Sequence, residues 1–330
     1  MGSSHCKRSE NLNFFTLISD VASEFAEITW SNPRLTWTRT DLDKFDVIVF
    51  GFVPPTSPNA NKIYAALHVL DLMYESPKLR LVIDSPQIWQ YKNSIESFKR
   101  DPYQIFSPFY SSRQDYAAAN TDLYKSRLDD LVNKMRNPEL WPITIVPELP
   151  WSSLDRLSSV LPFIPVHRLT PLNLDAHILN KKSAPIARRN VWAVDAKKNS
   201  WWDSLKLLLR YPSTPVKTSA KLSDTEYELS IENSLGLIIP PQERKVGTWW
   251  SYRYIQALNS STPVVTYWQD SHEFSQYWSK LAYQVEDLEP YERQHLSDMQ
   301  YASYVEAIPT KEQSTKKLEK LMINSVKERI

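Results

Sequence analysis

One loop and the helix that follows it hold the residues with the clearest chemistry in this sequence. The apolar run Leu235–Ile239 stops at two prolines, and a polar loop leads from there to Gly247. A glycine just before a helix start leaves backbone N–H groups free, and the positive end of the helix dipole favours an anion. The loop therefore predicts a binding site for a phosphate or diphosphate group.

The helix predicted after this loop has a core-facing stripe and a polar stripe. Thr248 can cap its first turn, and the pattern places the helix over about residues 249–258. Positions spaced i, i+4 and i+7 share one face of a helix. The core-facing stripe holds Ser251, Ile255 and Leu258. The polar stripe holds Trp249, Arg253 and Gln256.

The polar stripe suits a nucleotide ligand. Arg253 could pair with a phosphate, because a guanidinium and a phosphate form charge-assisted hydrogen bonds. Gln256, or Glu243 in the loop, could reach a ribose hydroxyl. The alternative is an ordinary amphipathic helix with an arginine on its surface, and the pattern alone does not choose between the two.

One predicted strand precedes this helix in the sequence and another follows it. Leu235–Ile239 has the pattern of a buried strand, and Pro263–Tyr267 (PVVTY) follows the helix after a turn at 259–262. A strand, a helix and a strand form a βαβ unit, which predicts parallel pairing and a right-handed crossover. Ligands bind beyond the carboxyl ends of the strands in such sheets, which is where the loop with Gly247 is expected.

The first half of the chain repeats the alternation of strands and helices. The pattern predicts a helix over Asn11–Ile28, a buried strand over Phe45–Phe50, a helix over Asn59–Glu75 and a strand over Leu79–Ile83. The segments after the two strands, Pro54–Lys62 and Asp84–Trp89, should line a cleft at the carboxyl edge of the sheet.

Asp84 is the best-placed general base in this half, because it directly follows a predicted strand at the cleft. Its alternative role is the N-cap of a helix over Pro86–Lys99. Both roles are compatible only if one carboxylate oxygen stays free.

Cations and aromatic residues are interleaved after this point. The cations are Lys92, Lys99, Arg100 and Arg113. The aromatic residues are Trp89, Tyr91, Phe98, Tyr103, Phe106, Phe109 and Tyr110. Such a mixture suits a groove for phosphates and unstacked bases. The alternative is a solvated helix face whose aromatic side chains belong to the core.

Composition limits the class of protein. With 330 residues, 42% of them hydrophobic, the chain can build two domains or one large α/β domain. A net charge of +1 means that any nucleic acid would be held by a local basic groove. The single cysteine, Cys6, excludes an intrachain disulfide and fits a reducing compartment. Because no apolar run has membrane-spanning length, we expect a cytoplasmic protein without membrane contact.

Several catalytic motifs are absent from the sequence. The six histidines are scattered, and neither a Cys/His cluster nor HExxH spacing occurs, so no metal site is predicted. The chain has no Walker A, GxGxxG or G-x-S-x-G motif, which excludes P-loop ATPases, dehydrogenases with the dinucleotide fingerprint and α/β-hydrolases. We expect no tightly bound cofactor.

Prolines divide the chain near its middle. Short apolar runs in Trp141–Leu174 are separated by prolines, which predicts the last strand of a first domain and a crossover. Lys181–Arg189 (KKSAPIARR) follows as a basic linker or a phosphate contact. Strands are then expected at Asn190–Val194 and Pro215–Thr218. The helices expected outside the βαβ unit in this half are 201–209, 273–281, 290–307 and 311–327.

The segments with these features resemble a known enzyme family. The run GLIIPP…GTWWSYRYIQAL…TPVVTYW is similar to the donor-nucleotide half of GT-B glycosyltransferases. It is most similar to bacteriophage enzymes that glycosylate hydroxymethylated pyrimidines in DNA. In the first half, DLDKFDVIVFGFVPPTSPNANKIYAAL and LRLVIDSPQIWQ resemble the same group. The resemblance covers about residues 40–305 in outline.

The resemblance implies an α/β protein with the GT-B fold, in which two Rossmann-like domains face each other across a cleft. The expected divisions are an acceptor-side domain at 1–175, a nucleotide-sugar domain at 176–310 and a C-terminal helix at 311–330 that crosses back to the first domain. A strand should precede the first helix, but none is visible in the sequence. UDP-glucose is the expected co-substrate, and DNA in an infected bacterial cell is the expected partner.

The resemblance also assigns roles to residues. The donor site would comprise Glu243, Gly247, Thr248, Trp249, Ser251, Arg253 and Gln256. The acceptor side would comprise Thr56, Ser57, Lys62, Trp89, Lys92, Arg100 and Arg113. If the reaction inverts the sugar, Asp84 or His5 would be the base, but the pattern favours a disordered terminus or an expression tag for His5. If the reaction retains the configuration, the leaving phosphate can accept the proton.

Two other functions fit the same scaffold. One is a non-enzymatic protein that binds a nucleic acid or a sugar, and the other is a GT-B enzyme with a small-molecule acceptor. The chain departs from the family at Gln256, where many members have a glutamate, and in a loop reduced to the single Gly247.

Overall fold

The computed structural model describes residues 10–31, 34, 36–50, 68–69, 72–73, 80–84, 133, 137, 143–147, 166–183, 192–194, 216–218, 224–239, 252–266, 283–284 and 293–327. These residues form two compact units. The first unit contains the described residues up to Leu174 and those from Thr310 onward, and the second contains those from Asp175 to Pro309.

The described residues of both units form helices and strands. The helices are α1 (Glu10–Ala22), α2 (Arg39–Leu42), α3 (Asp175–Ile178), α4 (Asp224–Glu232), α5 (Tyr252–Asn259), α6 (Arg293–Ala307) and α7 (Lys311–Lys327). The strands are β1 (Val47–Phe50), β2 (Arg80–Asp84), β3 (Ile143–Pro147), β4 (Leu169–Leu172), β5 (Trp192–Val194), β6 (Val216–Thr218), β7 (Leu237–Ile239), β8 (Val264–Thr266) and β9 (Tyr283–Gln284).

The first unit contains a parallel sheet in the order β1-β2-β3-β4. Its strands are rich in valine and isoleucine, which pack well on a pleated surface. Pro171 lies in β4 opposite Val146, although proline cannot donate a hydrogen bond to the ladder. Its position is tolerated because β4 is at the edge of this sheet.

Two helices cover this first sheet. α1 buries Leu17, Ile18 and Val21 along one face. α7 contacts α1, β1 and β4, and it buries Leu318 and Met322. The end of the chain therefore returns to the first unit.

The second unit contains a five-stranded parallel sheet in the order β6-β5-β7-β8-β9. Numbered within this unit, the order is 2-1-3-4-5, one of the two common orders of doubly wound α/β sheets. Connections leave β5 and β7 in opposite directions, so a topological switch point lies between these two strands. The predicted parallel pairing of β7 with β8 is confirmed, with Leu237 opposite Val264.

A side chain bonds to β8 on the side of β9, next to the two residues that pair with β9. β9 pairs with β8 only at Val265 and Thr266, so Val264 lies one residue before the pairing begins. The buried amide of Gln300 in α6 accepts from Val264 N at 2.8 Å and donates to Val264 O at 2.7 Å. The glutamine amide thus takes the place of a neighbouring backbone peptide.

The structure corrects several sequence predictions. The first helix ends at Ala22 rather than Ile28, since the Ser23 hydroxyl bonds to the Asp20 carbonyl and only turns follow. Five of the described elements escaped the sequence analysis, namely α2, α3, α4, β4 and β9. The helices predicted at 86–99, 201–209 and 273–281 lie outside the described residues, as does most of the helix predicted at 59–75.

The paired amide of Gln300 yields a stability prediction. Gln300→Met keeps the length of the side chain but leaves two buried backbone groups of Val264 without a partner. Each such group costs about 1–3 kcal/mol, so the free energy of unfolding should fall by roughly 2–6 kcal/mol in urea denaturation. Gln294→Met, at an exposed position of α6, is the control and should change stability by less than about 0.5 kcal/mol. Equal effects of the two substitutions would contradict this role of Gln300.

Candidate functional site

In open parallel sheets such as the second one, ligands bind outside the carboxyl ends of the strands. β5 ends at Val194, β7 ends at Ile239, and the switch point lies between them. Because successive connections diverge there, a crevice is left outside the carboxyl ends of the strands. The loop predicted to bind a phosphate begins directly after Ile239, at this edge. Residues 240–251 themselves lie outside the described part of the chain.

α5 continues from that loop and is packed firmly on the sheet. It contacts β8, α4 and α6. Tyr254, Ile255, Ala257 and Leu258 are buried, so the predicted core stripe is confirmed at Ile255 and Leu258. The third member of the stripe, Ser251, and the predicted helix start at Trp249 lie outside the described residues.

The carboxyl end of α5 is closed by a Schellman motif. Ser261 N–H donates to the Leu258 carbonyl at 3.2 Å, and Thr262 N–H donates to the Ala257 carbonyl at 2.9 Å. Ser261 occupies the left-handed position of this motif with a φ of 51°, where glycine is preferred. A serine is useful there because its buried hydroxyl also donates to the Lys182 carbonyl at 2.7 Å.

Asn259 at the end of α5 clamps the segment that enters the second unit. Its side-chain carbonyl accepts from Asn180 N–H at 2.7 Å, and its amide donates to the Ile178 carbonyl at 2.9 Å. Its backbone carbonyl accepts from Lys182 N–H at 2.7 Å. Together with the bond from Ser261, these contacts fix the end of α5 relative to residues 178–182.

The two lysines of this segment have acidic partners. Lys182 Nζ lies 3.0 Å from Glu232 Oε1, and Lys181 Nζ bonds to Asp298 and lies over the Tyr301 ring at 5.0 Å. The hydrogen bond from Lys181 lowers the pKa of Asp298. These pairs place Lys181 and Lys182 in a structural role, whereas the rest of the predicted basic linker, residues 184–189, lies outside the described residues.

A polar pair joins α5 to the neighbouring helix α4. Gln256 Nε2 donates to Glu228 Oε1 at 3.2 Å, and both side chains are half-buried. The two helices are also joined at their ends, because the buried Thr262 hydroxyl donates to the Ile231 carbonyl at 3.0 Å. Glu228 is therefore a hydrogen-bond partner that holds the Gln256 side chain within the second unit.

Two buried tyrosines pack α5 against α6. The rings of Tyr254 and Tyr304 lie 5.3 Å apart at 57°, and the Tyr304 hydroxyl donates to the buried Asp175 carboxylate. Burial raises the pKa of Tyr254. Burial and the adjacent charge of Asp175 raise the pKa of Tyr304. Both hydroxyls therefore stay protonated at neutral pH, which favours a structural role for this cluster.

The structure describes three of the predicted site residues. Arg253 and Gln256 lie in α5, separated by less than one helical turn. Asp84 is the last residue of β2, opposite Ile145 of β3, rather than the first residue after the strand. Its backbone therefore ends the strand at the carboxyl edge of the first sheet. The alternative N-cap role of Asp84 depends on a helix outside the described residues.

The remaining predicted site residues lie outside the described part of the chain. They are His5, Thr56, Ser57, Lys62, Trp89, Lys92, Arg100, Arg113, Glu243, Gly247, Thr248, Trp249 and Ser251. One relevant residue, Glu228, escaped the sequence analysis because α4 was not predicted. The spacing of Tyr227 and Ile231 at i and i+4 is a weak helical signal that could have indicated α4.

The described ranges contain neither a candidate metal site nor a candidate membrane-spanning helix. Within them, no cluster of three or more His, Cys, Asp or Glu side chains could hold a metal ion. None of the helices in these ranges combines the length and the hydropathy that a membrane-spanning helix needs.

No protein-family model matches the chain, and no curated protein is significantly similar to it. Among solved structures, the GtfA/B complex shares 10% identity over 81% of this chain and 61% of its own, with a TM-score of 0.42. AviGT4, a glycosyltransferase of avilamycin A biosynthesis, shares 13% identity over 57% and 70%, with a TM-score of 0.34. The pneumococcal O-GlcNAc transferase GtfA, solved with UDP and GlcNAc, shares 14% over 78% and 54%, with a TM-score of 0.35.

The chain spans 61% of the length of the first of these structures and 54% of the third. At these TM-scores the likeness decides neither fold nor activity, so both rest on the residues of this chain.

Proposed function

We propose that this protein is a glycosyltransferase that takes a sugar from a nucleotide-sugar donor, with UDP-glucose as the first candidate. The observation that carries the proposal is the unit β7–α5–β8 beside the switch point of a fully parallel sheet. The sequence adds a loop with a glycine before a capped helix start, at the carboxyl end of β7. Such a helix start favours a diphosphate through free N–H groups and the helix dipole.

Each part of the donor has a proposed partner in this unit. The diphosphate lies at the helix start that the sequence predicts over residues 247–251, and Arg253 offsets the charge that develops as the nucleotide leaves. Gln256, or Glu243 from the loop, accepts a hydrogen bond from a ribose hydroxyl. This scheme assigns no side chain of the protein as a metal ligand. A metal ion could still arrive bound to the nucleotide.

The proposed acceptor is the hydroxymethyl group of a pyrimidine base in bacteriophage DNA. Two features of the sequence support it, namely the family resemblance and the mixture of cations and aromatics in Trp89–Arg113. A base in duplex DNA must be flipped out to reach an enclosed sugar, and aromatic side chains can hold a flipped base. With a net charge of only +1, DNA would be held by a local groove, so binding should be sensitive to salt.

The group that takes the proton of the acceptor hydroxyl depends on whether the reaction inverts or retains the configuration of the sugar. An inverting reaction requires a base for the acceptor hydroxyl, and Asp84 at the end of β2 or His5 would supply it. A retaining reaction can pass the proton to the leaving phosphate. We further propose that residues 1–175 and 176–310 act as the acceptor and donor domains, that the C-terminal helix at 311–330 crosses back to the first domain, and that the protein works in the bacterial cytoplasm.

The donor site can be tested by binding. Arg253→Ala removes a charge-assisted contact to phosphate, which contributes about 1.5–3 kcal/mol, so the affinity for UDP should fall at least about tenfold in isothermal titration. Arg39→Ala is a matched control, since Arg39 is an exposed arginine of the first unit beside Asp43. It should bind UDP as the unchanged protein does. Equal UDP affinity in both folded variants would contradict the proposed donor site.

The acceptor can be tested by analysing nucleosides. The protein is incubated with UDP-glucose and DNA that contains 5-hydroxymethyluracil or 5-hydroxymethylcytosine, and the digested nucleosides are weighed by mass spectrometry. We expect one of the two bases to gain a hexose, and the yield should fall as salt is raised. If several sugar donors leave both bases unmodified while a small hydroxylated acceptor is glycosylated, the DNA acceptor is wrong. If UDP binds and nothing is glycosylated, a binding protein is the better description.

A further inference from the structure

The contact between Gln256 and Glu228 fixes the orientation of the glutamine amide. An ionised carboxylate can only accept hydrogen bonds, so the group that faces Glu228 must be the amide nitrogen of Gln256. The amide carbonyl is then directed away from Glu228. Without such a partner, a glutamine amide can rotate by half a turn and present either a donor or an acceptor.

This orientation is held by two rigid elements. Glu228 lies in the middle of α4, and Gln256 lies in the second described turn of α5. The two helices pack against each other, and the bond from Thr262 to the Ile231 carbonyl joins them near their carboxyl ends. Rotation of the Gln256 amide would place its carbonyl oxygen against the Glu228 carboxylate and repel it.

Two further acidic residues of α4 have different surroundings. Glu232 pairs with Lys182 at 3.0 Å, and Glu226 is exposed. Glu228 is the residue of α4 that bonds to the Gln256 amide, and exchange of Glu226 should leave that amide in place.

A ribose hydroxyl binds a protein carbonyl by donating its proton. Because the amide nitrogen of Gln256 bonds to Glu228, its side-chain carbonyl is the group left for a ligand. A freely rotating glutamine would present that carbonyl only part of the time. Gln256 can thus act as an uncharged hydrogen-bond acceptor whose orientation is held by the Glu228 carboxylate.

We propose that Glu228 is a positioning residue that fixes the Gln256 carbonyl as the acceptor for a ribose hydroxyl of the nucleotide, and so makes the site prefer a ribonucleotide to its deoxy analogue. This inference rests on the proposed donor site and adds the residue that determines its sugar selectivity. Glu228 itself does not contact the nucleotide.

The test compares binding of UDP, 2′-deoxy-UDP and 3′-deoxy-UDP by isothermal titration. One hydrogen bond to a hydroxyl corresponds to a preference of up to about tenfold for UDP over one of the two analogues. Glu228→Leu should reduce this preference about twofold, because a freely rotating Gln256 amide offers its carbonyl only part of the time. Glu228→Gln should reduce it as well, since an amide at position 228 can present either a donor or an acceptor to Gln256. Glu226→Leu is the control at an exposed position of α4 and should retain the preference.

The outcomes separate this inference from the function on which it rests. If the unchanged protein binds UDP but shows no preference over either analogue, or if Glu228→Leu keeps the preference, the role of Glu228 is wrong and the donor site stands. Loss of the preference in Glu226→Leu would also overturn it, since the effect would then belong to the stability of α4. If the unchanged protein binds neither UDP nor another nucleoside diphosphate, both the donor site and this inference fail.

Discussion

Parallel pairing of every neighbouring strand in the second sheet is the constraint on which the candidate site depends. Because β5, β7 and β8 run in the same direction, their carboxyl ends share one edge, and each connection must cross a face of the sheet. The order β6-β5-β7-β8-β9 makes the connections after β5 and β7 diverge. The loop after Ile239 starts at the crevice that results, which gives a physical reason to look for a ligand there.

The helix behind that loop is held from its opposite end. Asn259 and Ser261 tie the carboxyl end of α5 to residues 178–182, and Tyr254 packs against Tyr304. The amino end of α5 lies toward the carboxyl edge of the sheet, where we propose that the donor binds. A site built on a helix fixed in this way keeps its geometry better than one carried by a loop alone.

The sequence was sufficient for elements with a strong local pattern and insufficient for contacts between distant residues. Valine- and isoleucine-rich runs indicated β1, β2, β7 and β8, and the charged amphipathic pattern at the end of the chain indicated α7 with its correct bounds. β4 was missed because Pro171 argues against a strand unless that strand is known to be at an edge. β9 has two residues and no period to detect. The bond between Gln256 and Glu228 joins residues 28 positions apart, so no spacing rule within one helix could indicate it.

Hydrogen exchange with and without a nucleotide sugar tests most directly whether the carboxyl edge of the second sheet binds the donor. Amides of a helix start that bind a diphosphate are withdrawn from solvent, so UDP-glucose should slow exchange in peptides that cover residues 240–256. Peptides that cover β4 in the first unit should exchange at the same rate with and without the ligand. Protection confined to the first unit, or unchanged exchange over residues 240–256 at a saturating UDP-glucose concentration, would contradict the account.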